Sequence, residues 1–468
     1  MPRKAKAKPK TVGQLRESGY QVLGVKEEVR KNLIKKIEND EELFPGIIGF
    51  EDSVVPQLEN AILAGQDIIL LGERGQAKSR IIRNLLSLLD DEIPVMAGCE
   101  LNDNPFDPIC KPCKETIAKN GDDAKIDWMP REQRYGEKLA TPDITVADLI
   151  GEIDPIKIAE GRYLSDELAI HYGLIPRTNR GIFCINELPD LSERIQVSLF
   201  NLMQERDVQI KGYKIMLPLD IFLVSSANPE DYTNRGRIIT PLKDRYGAQI
   251  RTHYPRSLDD EIAIVEQEYS KFKDTAEQVK VPKYMKELIA EITALARRSP
   301  DVNQRSGVSV RVSISNYETV LGSSFKRSLR NKEPASPRVS DLPAIVASTT
   351  GKLELESVED GREIKLVDDL IKKAVLNTFA RYFKPKDFDE LVQKFEEGLS
   401  METGSSIPSS EYVAKLPQIG EASKLIKRIE RSEEPAAIAS ALEFVLEGLH
   451  LNRRLNREMV AGNFLYTG

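Results

Sequence analysis

The chain has 468 residues, 40% of them hydrophobic and 30% charged, and a formal net charge of −7. That length calls for two or three domains, the negative balance argues against a nucleic-acid binder, and no apolar run approaches the roughly 18 residues of a transmembrane helix. The N-terminus has no apolar leader core, and four cysteines in so long a chain fit a reducing, cytoplasmic setting.

In chain order, residues 2–10 are rich in Lys and Arg and read as a solvated, disordered tail. The stretch up to about residue 44 is charged and helix-prone, with Leu15, Val22 and Leu23 thinly spaced. It reads as one or two helices packing on the main domain. A turn at Pro45-Gly46 leads to a helix over about residues 53–64, carrying Val54, Val55, Leu58, Ile62 and Leu63. Ile47, Ile48 and Val55 are placed equally well for an adenine pocket or for the core.

The chain is organised around Gly72-Glu73-Arg74-Gly75-Gln76-Ala77-Lys78-Ser79. A four-residue apolar strand precedes it, and Ile81, Ile82, Leu85, Leu86 and Leu89 follow at helical spacing. Strand, glycine-rich loop and helix are the context of a phosphate-binding loop. Its backbone N–H groups point at phosphates. Lys78 supplies the point charge there, and Ser79 a hydroxyl ligand for Mg²⁺. Gly72 and Gly75 let the backbone turn. Ala77 stands where the motif has its second glycine, which is tolerated at negative φ.

Residues 93–97 read as the next strand, and residues 98–142 as an insertion. The insertion holds Cys99, Cys110 and Cys113 without a nearby His. A structural zinc needs four ligands, which Asp103 or Asp107 could complete; reduced cysteines in a loop are the preferred reading. Residues 144–150 look amphipathic. Residues 151–175 suggest a hairpin with a turn at Gly161-Arg162-Tyr163.

Residues 182–187 run from four apolar positions into Asn186-Glu187. Such a strand carries an acid pair to its end, the first acid orienting Mg²⁺ and the second polarising the attacking water. Asn186 occupies the metal position without a charge, and Glu187 is the general-base candidate. Residues 192–205 form a helix, and residues 208–218 a hairpin around Lys211-Gly212. Residues 221–228 are a strand ending in Asn228, which can bind water or the γ-phosphate. The block Leu242-Lys243-Asp244-Arg245-Tyr246 and a strand near residues 249–251 complete an alternating pattern of strands and helices. That pattern implies a parallel, doubly wound sheet, with ligands at the carboxyl ends of its strands.

From residue 258 the chain is helical. Residues 258–269, 281–298, 311–321, 367–383, 388–399 and 435–455 read as helices, and residues 401–410 as a Ser/Gly/Pro linker.

These motifs resemble AAA+ ATPases, and among them the ATPase subunit of magnesium chelatase and its MoxR-like relatives. The resemblance covers residues 46–321, and the C-terminal helices less closely. It implies an α/β fold: a P-loop parallel sheet flanked by helices, then a helical lid and a C-terminal helical region. The expected divisions are a basic tail and helices at 1–45, and a nucleotide-binding domain at 46–256 with inserts near 98–142 and 151–175. A lid at 257–332, a helical extension at 333–400, and a linker with C-terminal helices at 401–468 follow. The resemblance implies ATP and Mg²⁺ as cofactors and a ring, usually a homo-hexamer, in a cytoplasmic setting. Arg245 matches the arginine finger that serves the next subunit. Arg311, after Ser309-Val310, matches the residue that senses the γ-phosphate from the lid. Arg180 stands where the family often turns an Arg toward a neighbour's nucleotide. A separate partner protein is implied, of the kind that carries a von Willebrand-type metal-binding domain. Alternatives are a MoxR-type chaperone that matures protein complexes and, given Asn186, a nucleotide-binding scaffold without hydrolysis. A sigma-54-type activator is disfavoured, because its Gly-Ala-Phe-Thr-Gly-Ala loop is missing.

Overall fold

Ile68–Leu71 (β1) shows how the sequence builds the first half of the chain. Ile69 and Leu71 join one apolar core, and Ile68 and Leu70 join another. Side chains of a strand alternate between faces, so a strand covered on both sides must be apolar throughout. The same alternation holds in Gly181–Asn186 (β3), where Phe183 and Ile185 face one core and Ile182 and Cys184 the other. With Tyr135–Leu139 (β2), Ile221–Ala227 (β4) and Ala248–Arg251 (β5), these strands form a five-stranded sheet in the order β5-β1-β4-β3-β2. All four pairings are parallel. The register sets Leu71 beside Ala227 and Ile185 beside Ser225, so β1, β3 and β4 end along one edge.

The computed structural model describes residues 8–159, 167–205, 208–210, 213–215, 217–228, 237–304, 306–356 and 361–468. The chain divides into two compact units, residues 1–253 and 254–468. In the first unit, helices Val25–Glu38 and Val54–Leu63 cover one face of the sheet together with Lys78–Asn84 (α1). Glu193–Glu205 (α2), with Ile195, Leu199 and Leu202, and Thr240–Arg245 (α3), with Leu242, help cover the other. Glu28 is buried on its helix because Arg134 meets it with two hydrogen bonds of 2.6 Å. Removing either partner leaves an unpaired buried charge.

Several expectations change. The basic tail falls outside the described residues up to residue 7, but Pro9 and Lys10 are held. Trp128 donates to the Pro9 carbonyl at 2.9 Å, and Ile126 N–H to that of Lys10 at 3.0 Å. The insertion expected at 98–142 ends earlier, because its last part is the edge strand β2. Before that, Ile126–Pro130 pairs antiparallel with Glu92–Met96. Gly151–Ile153 pairs with Ile170–Tyr172, and Val208–Ile210 with Tyr213–Ile215. The turn residues Gly161-Arg162-Tyr163 and Lys211-Gly212 lie outside the described residues.

The second unit has one apolar core, to which residues from Val265 to Tyr466 contribute. The segments that the sequence separates as lid, extension and C-terminal region all supply side chains to it. Helix Pro435–Leu451 is buried on nearly every side, rather than amphipathic, and its acids are paired. Glu443 accepts from Tyr412 at 2.5 Å, and Glu447 from Arg457 at 2.7 Å and Tyr466 at 2.6 Å. The expected linker contains a strand, Met401–Thr403, which pairs with Asn463–Thr467. That strand forms a hairpin with Asn456–Val460, where only helices are expected from the sequence. Ala461 and Gly462 turn the hairpin at φ 50° and 85°, as a two-residue type I′ loop requires. Among the described residues no helix is long and apolar enough to cross a membrane.

Candidate active site at the carboxyl edge of the sheet

Residues 72–79 leave the end of β1 and enter α1 at Lys78. The loop is tightly walled. A Cβ on Gly72 would lie 1.9 Å from Thr252 Oγ1 and 2.3 Å from Gln76 Oε1, so only glycine fits. Thr252 in turn donates to Gln76 Oε1 at 2.8 Å, fixing the loop to the segment after β5. Gly75 has φ 77°. Ala77 has φ 54°, which overturns the expectation of a negative φ. The missing glycine is replaced by an alanine in the left-handed region, at a cost of about 1 kcal/mol. Lys78 is buried, with its ammonium donating to the carbonyls of Gly72 and Glu73, the latter at 2.9 Å. The lysine thus spans the loop that its own residues form.

Glu187 and Asn228 follow β3 and β4. Glu187 is half-buried at φ 56°, and its N–H donates to Ser226 Oγ at 3.3 Å. Asn228 is 3% exposed, and its Oδ1 is buried without a hydrogen-bond partner. An orphaned amide oxygen costs about 1–3 kcal/mol, and it marks a place that a donor such as water would complete. Buried lysine, curled backbone and orphan acceptor share the carboxyl edge of the sheet, so the residues fit a nucleotide's phosphates.

The position that the resemblance assigns to the metal is more crowded than the sequence suggests. Asn186 Nδ2 donates to Glu137 Oε1 at 2.6 Å, and Asn186 Oδ1 accepts from Ser226 Oγ at 3.0 Å. Sequence reading missed Glu137. It lies on β2, and Arg83 of α1 donates to it at 3.1–3.3 Å. Tyr135 adds a bond of 3.1 Å. Arg83 stands four residues after Ser79, on the same face of α1. A carboxylate thus lies one strand over from Asn186, bonded to it and to Arg83 of α1. Its charge is felt locally: burial and then Glu137 push the Cys184 thiol up to about 12. The Tyr135-Gly136-Glu137 run could have exposed this residue only if β2 had been recognised as a strand.

Arg245 ends α3 and is exposed, held by Gln204 Oε1 at 2.7 Å and stacked over Phe200 at 5.3 Å. Arg311 begins helix Arg311–Asn331 in the second unit and is also exposed. Arg180 corrects the sequence reading. It is buried, its guanidinium donates to the Pro94 carbonyl at 2.7 Å, and its own carbonyl accepts from Arg134 at 2.9 Å. With its charge spent inside its own unit, it does not face a neighbour. Ile47 belongs to the core, and Val55 packs against it.

No family model matches the chain. Curated relatives do match. The magnesium-chelatase subunit ChlI of Nostoc sp. is 30% identical over 262 residues, spanning 54% of this chain and 64% of its own length. The magnesium-chelatase 38 kDa subunit of Rhodobacter capsulatus is 28% identical, over 47% of this chain and 59% of its own. The chain is similar to magnesium-chelatase subunits. It spans about three fifths of the length of the relatives it matches. A solved complex of subunits BchI and BchD of magnesium chelatase aligns at 20% identity with a TM-score of 0.36, covering 69% of this chain and 98% of that one, a score too low to carry an argument. The parallel sheet flanked by helices, followed by helices, is the AAA+ architecture that the sequence resembles.

Proposed function

We propose that the chain is an AAA+ ATPase that hydrolyses ATP in an oligomeric ring and thereby remodels or activates a separate partner protein, as a magnesium-chelatase I-type subunit would. The observation that carries this reading is the convergence of Lys78, Glu187 and the unpartnered Asn228 Oδ1 on one edge of the sheet. Lys78 exchanges its loop carbonyls for the phosphates, and the loop N–H groups hold the phosphate oxygens. Asn228 holds a water by its Oδ1, and Glu187 takes the proton from that water as it attacks. Mg²⁺ bound with the nucleotide would supply charge neutralisation. Ser79 would hold it directly, with Asn186 and Glu137 beside it. Arg245, an exposed guanidinium at the end of a short helix, serves the nucleotide of the next subunit. Arg311 reads the γ-phosphate and moves the helical unit. The ring is a homo-hexamer, and the partner is a chain of the von Willebrand-type kind.

One observation favours a second reading. Both ends of the Asn186 amide are taken up by Glu137 and Ser226, which suits a nucleotide-gated scaffold without turnover. Phosphate release from Mg²⁺-ATP, measured across protein concentration, decides. Turnover per chain that rises with concentration supports the ring ATPase. Nucleotide binding without turnover at any concentration leaves the scaffold. Mixing Arg245→Ala with Glu187→Ala subunits should restore part of the turnover if the finger acts across an interface.

A further inference from the structure

The cysteines that the sequence leaves as a loop do not stay apart. Cys99 follows Glu92–Met96 through a turn at Gly98, whose φ is 69°. Cys110 caps helix Lys111–Asn120, and Cys113 lies in its first turn. Asp103 comes from the loop between them. One ligand atom of each of Cys99, Asp103, Cys110 and Cys113 lies within 4.8 Å of every other. Cys99 Sγ and Cys110 Sγ are 3.8 Å apart. Two thiolates on one tetrahedral zinc, each about 2.3 Å from it, stand about 3.8 Å apart.

The surroundings are those of a metal site. Asp103 is fully buried, and its Oδ2 accepts from the N–H groups of Ile109 at 3.1 Å and Cys110 at 3.0 Å. Its Oδ1 is buried with no hydrogen-bond partner. One oxygen therefore orients the carboxylate, and the other is left for a ligand. The N–H of Leu101 donates to Cys99 Sγ at 3.3 Å. Such outer bonds orient ligands and stabilise thiolates. Three sulfurs exclude Mg²⁺ and Ca²⁺, which take oxygen. Sulfurs packed this closely enclose one ion, not a polynuclear iron–sulfur cluster. The three cysteines also line a cavity of about 280 Å³ with Leu101, Lys157 and Tyr172, giving an ion an access route. Asp107, the other carboxylate weighed from the sequence, is not part of the cluster.

We propose that Cys99, Asp103, Cys110 and Cys113 form a structural zinc site that pins the loop after Glu92–Met96 to the start of helix Lys111–Asn120. The site is separate from the nucleotide edge, and its function is to fix this part of the first unit.

The test is metal content of the full chain, purified reduced and without chelator, by plasma mass spectrometry. About one zinc per chain is expected. Replacing zinc with Co²⁺ should give thiolate-to-metal charge transfer and the intense visible bands of a tetrahedral ion. Cys110→Ser/Cys113→Ser should drop the zinc content at least about tenfold, and Asp103→Asn should weaken retention against a chelator about 10- to 100-fold. Asp107→Asn should keep full occupancy. Because the double variant could fail to fold, the Co²⁺ spectrum of the reduced wild type stands on its own. Absence of both zinc and cobalt charge transfer in the wild type overturns the proposal, and so does a folded double variant that keeps its zinc.

Discussion

The carboxyl edge of the sheet and the cysteine cluster are both polar constellations in the first unit, built in opposite ways. The edge gathers Lys78, Glu187 and Asn228 from positions 150 residues apart, through three strands that end together. The cluster gathers its donors from residues 99–113 alone. The dispersed residues are the ones that local sequence patterns single out. Each sits in a local pattern with a mechanism: an apolar strand, then a fixed polar residue. The cysteines show in the sequence as a possible donor set with Asp103 or Asp107, but only the turn at Gly98 brings them together. Separation along the chain is thus no measure of how readable a site is.

The comparison breaks most sharply at Lys78. Lys78→Ala should lower ATP turnover by about 10²–10³-fold, read as phosphate release, while leaving the zinc content of the chain unchanged. Glu187→Gln should lower turnover by about 10²-fold or more with nucleotide binding retained; unchanged turnover would remove it as the base. Chelating the metal, conversely, should lower the melting temperature of the first unit by several degrees in calorimetry, with nucleotide affinity held within about threefold.

Asn186→Asp offers a finer contrast. Restoring the usual acid would improve a site that merely lacked a charge. Here it removes the donor to Glu137 and sets two carboxylates in contact, so stability should fall by about 1–3 kcal/mol in denaturant unfolding. Asn186→Asp with Glu137→Gln should recover most of that loss. If the single variant raises both stability and turnover, Glu137 does not stand in for the missing acid. The smallest effect is at Ala77. Ala77→Gly relieves the left-handed alanine and should stabilise by about 0.5–1 kcal/mol, part of the gain being lost to backbone entropy.

The strands of the main sheet were readable because both faces are covered, which makes them apolar throughout. The long helices were readable by period. Four things were not. β2 hid inside an assumed insertion, since Tyr135-Gly136-Glu137-Lys138-Leu139 is an edge strand with little apolar content. The strand Met401–Thr403 reads as a linker because its partner lies some sixty residues downstream, and non-local pairing leaves no local trace. The resemblance turns Arg180 outward, whereas the carbonyls of Pro94 and Asn102 receive it inside its own unit. The sign of φ at Ala77 was likewise beyond the sequence, which names a residue but not the conformation that its neighbours impose.

The bonds from Glu137 to Asn186, from Asn186 to Ser226, and from Ser226 to the Glu187 backbone cross the ends of three neighbouring strands. Together they act as a ruler laid across the sheet. None of the three ends can advance or retreat without stretching a bond to the next. A push on Arg83 or on Ser226 is therefore passed along this line of bonds to the backbone of Glu187.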